Sequence, residues 1–195
     1  MNNGPVDEYR FTTVELSPLI DWIQSEGKVR MLEKKEYLVR QNGPSPMVGL
    51  LEEGICRFLR TDAKGNEHVV GYTFSGSLVG EYTANLCARS SLVDIQAVTP
   101  CRLRLVSYAR MREWMAARPD GDGIGRILAE QMFVLSYKRL LDSYCCTPEE
   151  RYRDLMAHYP ELKELRPLKE IASFIGVTPE TVSTIRRKIR RESKS

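Results

Sequence analysis

Cysteine is sparse and late in this chain. Five stand at positions 56, 87, 101, 145 and 146, and none forms a CxxC pair. An odd, scattered set is a poor disulfide framework. The adjacent Cys145 and Cys146 are wrongly spaced to chelate one tetrahedral zinc. Each cysteine is therefore read as a small core residue in a reducing, cytoplasmic setting. Long apolar runs are also lacking. No segment approaches the roughly 20 residues of a membrane span, so no membrane partner is expected. The opening "MNNGPVDEYRFTT" has neither a basic n-region nor an apolar h-region, and no secretory leader is expected. Histidine is limited to His68 and His158. No nucleophile–base–acid set, phosphate-cradling glycine loop or metal-ligand spacing stands out. Glu81 near Ser75 and Ser77 comes nearest, but those serines sit in a glycine turn. The sequence does not read as an enzyme.

What is present is globular. The 195 residues are 42% hydrophobic and 28% charged, enough for one large domain or two modest ones. The formal net charge of +3 is unevenly placed. From Arg166 to Ser195 eight basic residues face three acids, a net +5, which leaves the rest of the chain at −2. A basic end suits a phosphate backbone, although a solvated basic tail has the same composition.

Along the chain, Leu16–Ser25 carries apolar residues at 16, 19, 20 and 23 and reads as a short helix. From Arg30 to Ser107 short strands alternate with turns. "GICRFLRT" and "HVVGYTF" flank "DAKGNE" as a hairpin with Gly65-Asn66 in its turn, and "VDIQAVT" and "CRLRLVS" close the region. Such strands predict a small barrel or sandwich. Met111–Ala117 reads as a short helix, and "RPDGDG" as a break. A long helix follows over Ile124–Tyr144 with two apolar stripes. Ile124, Leu128, Met132 and Leu135 form one; Phe133, Tyr137, Leu140 and Tyr144 form the other. Two stripes exceed the need of one packing face. One is expected on the barrel and the other against a second copy, with the 124/128/132/135 stripe assigned to the dimer. Burial between two domains of one chain is the alternative. "TPEE" at 147–150 opens another helix, with Thr147 as N-cap and Pro148 at its first position.

The C-terminal run "IASFIGVTPETVSTIRRKIRR" carries the strongest signal. Leu168, Ile171, Ala172 and Ile175 give a two-turn helix, Gly176 a turn, and Thr178-Pro179-Glu180 a second cap. Val182, Ile185 and Ile189 form the inner face of the next helix. A small alanine, a turn glycine and two β-branched residues at this spacing predict a helix-turn-helix. Thr178, Glu180, Thr181, Ser183 and Thr184 are the candidates for base edges. Arg186, Arg187, Lys188, Arg190 and Arg191 are the candidates for phosphate.

The order of short helix, small β-barrel, long helix and helix-turn-helix resembles the cyclic-AMP receptor/fumarate-nitrate regulator superfamily of bacterial transcription factors. "FSGSLVGE", "IQAVTPCRLRLVS" and "PLKEIASFIGVTPETVSTIRRKI" carry the resemblance, the last being especially similar to Bacteroidetes regulators. It covers roughly Leu16 to Ile189. It implies an α+β fold: a cyclic-nucleotide-binding-like β-barrel (a double-stranded β-helix or jelly roll), a long dimerisation helix and the helix-turn-helix. The expected domains are 1–117, 118–146 and 147–195. The resemblance further implies a homodimer on pseudo-palindromic double-stranded DNA, with RNA polymerase as a further partner. It maps the family's recognition-helix Glu-Thr onto Glu180-Thr181.

Departures from the family pattern shape the remaining expectations. Gly80-Glu81 matches the pair that holds the ribose of a cyclic nucleotide, and Arg89, Ser90 and Ser91 complete the candidate effector pocket by composition. A gapless alignment between Glu81 and "IQAVTPC" nevertheless puts Ser91 at the phosphate-binding arginine position. The adenine-reading Thr-Ser pair falls on Arg139-Leu140. Cyclic AMP is therefore not expected as the effector, although another small molecule is compatible. No cysteine precedes Cys56, which disfavours the iron–sulphur type, and His68, on the hairpin, disfavours haem. No metal site is expected. After Ile189 too few residues follow for a β-hairpin wing, so a wing-less reader is expected. The alternative function is a ligand-sensing or protein-interaction module with a degenerate helix-turn-helix.

Overall fold

The computed structural model of the chain describes residues 13–87, 89–160, 162 and 168–192. Most of the "ELKELRP" linker, Arg166, Lys194 and the residues after Glu192 lie outside these, as does the side chain of His158. The residues on which the wing expectation turns are thus not described. Two compact units divide at Phe133/Val134.

The first unit is a β-sandwich with helices. Helix α1 (Thr13–Glu26) precedes β1 (Lys28–Leu32), β2 (Tyr37–Val39), β3 (Met47–Glu53), β4 (Ile55–Thr61), β5 (Glu67–Phe74) and β6 (Ser77–Gly80). Then come α2 (Tyr82–Cys87), β7 (Asp94–Ala97), β8 (Cys101–Ser107) and α3 (Tyr108–Ala116). The strands form two four-stranded sheets, β1-β8-β3-β6 and β2-β7-β4-β5, antiparallel throughout. The expected barrel is corrected here. The two sheets keep separate edges, so the architecture is a sandwich rather than a closed barrel.

Alternation along the strands explains the layers. Leu51, Val79, Leu103 and Leu105 point from one sheet towards Cys56, Ile95 and Ala97 of the other, forming the inter-sheet core. Their neighbours Leu50, Leu78 and Val106 point the opposite way. They pack against Leu16, Leu19 and Ile23 of α1 and against Met111 of α3, so α1 and α3 cover the outer face of that sheet. Trp22 of α1 stacks on Trp114 of α3, ring centroids 5.0 Å apart. The β4–β5 hairpin turns through Asp62, whose carboxylate accepts from Lys64 N (2.8 Å), Asn66 N (2.9 Å) and His68 Nε2 (3.1 Å). His68 therefore serves the turn.

Helix α4 (Gly121–Cys145) starts three residues before the expected Ile124. At Gly121 a Cβ would lie 1.8 Å from Met115 O, so only glycine lets α4 begin this close to the end of α3. The second unit holds the rest of α4 with α5 (Pro148–His158), α6 (Leu168–Ile175) and α7 (Pro179–Glu192). Helix α5 opens with a capping box. Thr147 Oγ1 accepts from Glu150 N (3.3 Å), and Glu150 Oε2 accepts from Thr147 N (2.7 Å). Tyr152, Leu155 and Met156 of α5 are buried, as are Ile171, Ala172 and Ile175 of α6 and Val182 and Ile185 of α7. These three helices touch one another.

Candidate nucleic-acid interface and effector region

The turn between α6 and α7 is held by two complete caps. Val177 N donates to Ala172 O (2.9 Å) and Gly176 N to Ser173 O (3.2 Å), the paired bonds that end a helix on a left-handed residue. Gly176 supplies that residue at φ +72°. Two residues later Thr178 caps α7, its Oγ1 accepting from Thr181 N (3.3 Å), and Pro179 takes the first helical position. Glu180, Ser183 and Thr184 are exposed beyond the cap, and Thr181 is half-buried. Its own backbone N–H and the Thr178 hydroxyl hold the Glu180 carboxyl below the usual range. A short turn, bonded at both helix ends, thus presents a polar helix start with an exposed carboxylate.

The five basic residues of α7 do not act alike. Arg187 and Arg190 are exposed. Arg186 is half-buried, and its Nε donates to Tyr152 Oη at 3.0 Å. Lys188 Nζ donates to Glu149 Oε2 at 2.7 Å. Of the five expected at phosphate, Arg186 and Lys188 are thus engaged on α5. Long-range contacts of this kind leave no periodicity for sequence reading to find.

Two further groups were not legible in the sequence. Arg151 of α5 donates from Nη1 to Cys146 O (2.5 Å) and Asp142 O (3.4 Å), and from Nε to Ile175 O (3.1 Å). One guanidinium thus serves the C-terminal carbonyls of both α4 and α6. Nearby, Arg153 bonds Glu149 through Nε (3.0 Å) and Nη2 (2.8 Å), and Nη2 also reaches Glu192 of α7. The Glu149–Arg153 pair shows as an i,i+4 spacing, but its reach to α7 does not.

In the first unit the candidate effector residues part company. The Glu81 carboxylate accepts from Thr83 Oγ1 and from Ala84 N (2.5 Å), so both its oxygens cap α2. Ser91 is wholly buried, and its hydroxyl donates to Val93 O at 2.7 Å. Arg89 and Ser90 are exposed. Gly80 ends β6 beside Val48. Among the described residues, no hydrogen bond or ion pair joins the side chains of these five. The sequence reading missed α2 itself, whose six residues are too few to show a helical period.

On α4 the apolar stripes separate. Ile124 and Leu128 are buried against α1 and the sandwich, so they are spent within the chain and not available to a second copy. Met132 and Leu135 are half-buried. The other stripe is the outward one: Phe133 is 67% exposed, Leu140 51% and Tyr144 81%. Ile124 and Leu128, expected at the dimer, thus lie on the inner stripe of α4.

Comparison with known proteins places this arrangement. Residues 29–118 match the cyclic nucleotide-binding domain family, from β1 to just beyond α3. The cAMP-activated global transcriptional regulator CRP of Pasteurella multocida is 26% identical over 186 residues, covering 89% of this chain and 88% of that protein. The transcriptional activator protein anr of Pseudomonas aeruginosa is 26% identical over 185 residues, covering 89% of this chain and 74% of that protein. Over 89% of its length the chain is thus similar to transcription regulators of the cyclic-AMP receptor/fumarate-nitrate type. The structure of FixK2 from Bradyrhizobium japonicum shares the fold at a TM-score of 0.71, with 15% identity and 86% of each chain covered. Against the pattern expected from sequence, the chain has Gly80-Glu81 at the end of β6 and the wholly buried Ser91 where a phosphate-binding arginine is expected. Arg139, expected from sequence at the adenine-reading position, has its guanidinium 4.3 Å from the Phe174 ring centroid. No described helix is long and apolar enough to cross a membrane.

Proposed function

We propose that this chain is a homodimeric transcription regulator of the cytoplasm that reads pseudo-palindromic operator DNA through α7. The observation that carries the reading is the double-capped turn at Gly176–Thr178. It exposes a polar helix start with Arg187 and Arg190 on the same helix. Helix starts of this kind place base-reading side chains in a major groove. Glu180 accepts from a cytosine amino group, Thr178, Thr181, Ser183 and Thr184 offer hydroxyls, and Arg187 and Arg190 hold phosphate. Salt-dependent binding of the purified protein to its own promoter DNA tests this. Glu180→Ala should relax sequence preference, and Arg187→Ala should weaken binding to all sequences. Absence of binding, or indifference to both substitutions, refutes it.

The second copy is proposed to meet the Phe133/Tyr137/Leu140/Tyr144 stripe. Leu140→Glu with Tyr144→Glu should convert the dimer to monomer in sedimentation equilibrium, and an unchanged mass refutes the assignment. The sandwich is proposed to sense something other than cyclic AMP. Support comes from Ser91 lying buried with its hydroxyl spent, and from Glu81 capping α2. A buried cyclic phosphate calls for a fixed guanidinium fork, which a serine does not provide. Calorimetry should show no binding at micromolar cyclic AMP; a micromolar isotherm refutes this part alone.

A further inference from the structure

We infer that Lys188 is a positioning residue rather than a phosphate contact, and that Glu149 and Arg153 of α5 make it one. The inference rests on the DNA-reading role of α7 proposed above. Lys188 Nζ lies 2.7 Å from Glu149 Oε2 and 4.0 Å from Glu192 Oε1. Arg153 closes the circuit, bonding Glu149 on one side and Glu192 on the other. Two cations and two anions thus alternate in a ring that ties the first turn of α5 to the last turns of α7.

A lone exposed ion pair exchanges its partner for phosphate at little cost. This one differs in two ways. Glu149 is only 24% exposed, and it stands in the first turn of α5, where the helix dipole favours an anion. If Lys188 swung to a phosphate, Glu149 and Glu192 would face that phosphate with one cation fewer between them. Arg187 and Arg190 have no such tie to α5 among the described contacts, so they approach DNA at no comparable cost. The ring clamps the C-terminal half of α7 to α5, while the Gly176 turn clamps its start to α6. The polar end of α7 is then held from both ends, and the ring itself adds no net charge to the DNA-facing surface. That keeps sequence-independent attraction low relative to base reading, because non-specific affinity grows with each phosphate neutralised.

The test is the salt dependence of binding to operator and to unrelated duplex, measured with the full chain. Each lost phosphate contact lowers the log–log slope by about 0.9, or about 1.8 for two subunits on two half-sites. Lys188→Gln should weaken operator binding a few-fold with the slope unchanged, and Lys188→Arg should restore the affinity. Glu149→Gln should steepen the slope and tighten binding to unrelated duplex, because it frees Lys188. A Lys188→Gln slope shallower by the full phosphate increment overturns the inference, as does a Glu149→Gln slope equal to the parent's. A parent protein that binds no duplex at any salt overturns the DNA reading instead, a result distinguishable from either slope.

Discussion

Replacing Arg151 by methionine should loosen α6 and α7 while sparing the sandwich. Methionine keeps much of the aliphatic stem and removes only the guanidinium. That guanidinium reaches three carbonyls: Cys146 O at 2.5 Å, Ile175 O at 3.1 Å and Asp142 O at 3.4 Å. Two of these contacts are short enough to count fully. A hydrogen bond to a charged donor contributes about 1.5–3 kcal/mol, and the helix-end carbonyls recover part of that from water after the substitution. The net loss is about 2–3 kcal/mol, which includes the cation's attraction to two negative helix ends. Hydrogen exchange is the assay, because a chain of two compact units has no single unfolding transition to measure. Amides of 171–175 and 182–189 should exchange roughly 30- to 150-fold faster, from about 1.4 kcal/mol per factor of ten. Those of β3, β4 and β8 should not change. Arg151→Lys should recover only part of the protection, since one ammonium does not span both helix ends. Acceleration below about three-fold in α6 and α7, or equal acceleration in the sandwich, refutes the reasoning.

Three further outcomes follow from separate contacts. At Gly176 an added Cβ meets nothing within 4 Å, so Gly176→Ala should cost only the left-handed backbone penalty, about 1 kcal/mol, read as roughly five-fold faster hydrogen exchange in α6 and α7. The Glu52 carboxyl is held below its ordinary 4.5 chiefly by the Arg104 hydrogen bond (2.6 Å), with Arg102 adding to it against burial. Its contribution to stability is full above that ordinary value and is lost as pH falls through the lower folded value. The stability gap between the parent and Glu52→Gln should therefore stay flat near neutrality and shrink only below about pH 4.5. Among the thiols, Cys87 and Cys145 are exposed, whereas Cys56 and Cys101 are buried with sulfurs 3.7 Å apart. The hydrogen bond to Cys101 and burial push the Cys56 thiol up. An aromatic disulfide reagent should titrate the exposed pair within minutes and the buried pair only on denaturation; early reaction of all thiols refutes the packing.

How much of this was legible depended on how local each cause is. The Thr147 cap, the Gly176 turn and the Thr178-Pro179 start were readable because every partner lies within five residues. The β4–β5 hairpin was readable for the same reason. The two stripes on α4 were readable as apolar, but not as inner and outer. Which stripe faces the core depends on where α1 and the sheet lie, and nothing in the helical period carries that. The choice between barrel and open sandwich was likewise not legible, since strand alternation is identical whether two sheets close or remain apart.

The candidate sites divide along the same line. The polar start of α7 was named from sequence, because cap and helix period determine which residues are exposed. The sequence alone therefore determined most of the elements, their caps and the polar character of the start of α7, all short-range consequences of backbone sterics and hydrogen bonding. The tertiary structure alone decided which of the α7 cations pair with α5. Lys188 and Glu149, thirty-nine residues apart, meet only once α5 and α7 are packed. It also decided that Glu81 caps α2 and that Ser91 is buried, because both depend on how the chain folds back after β6.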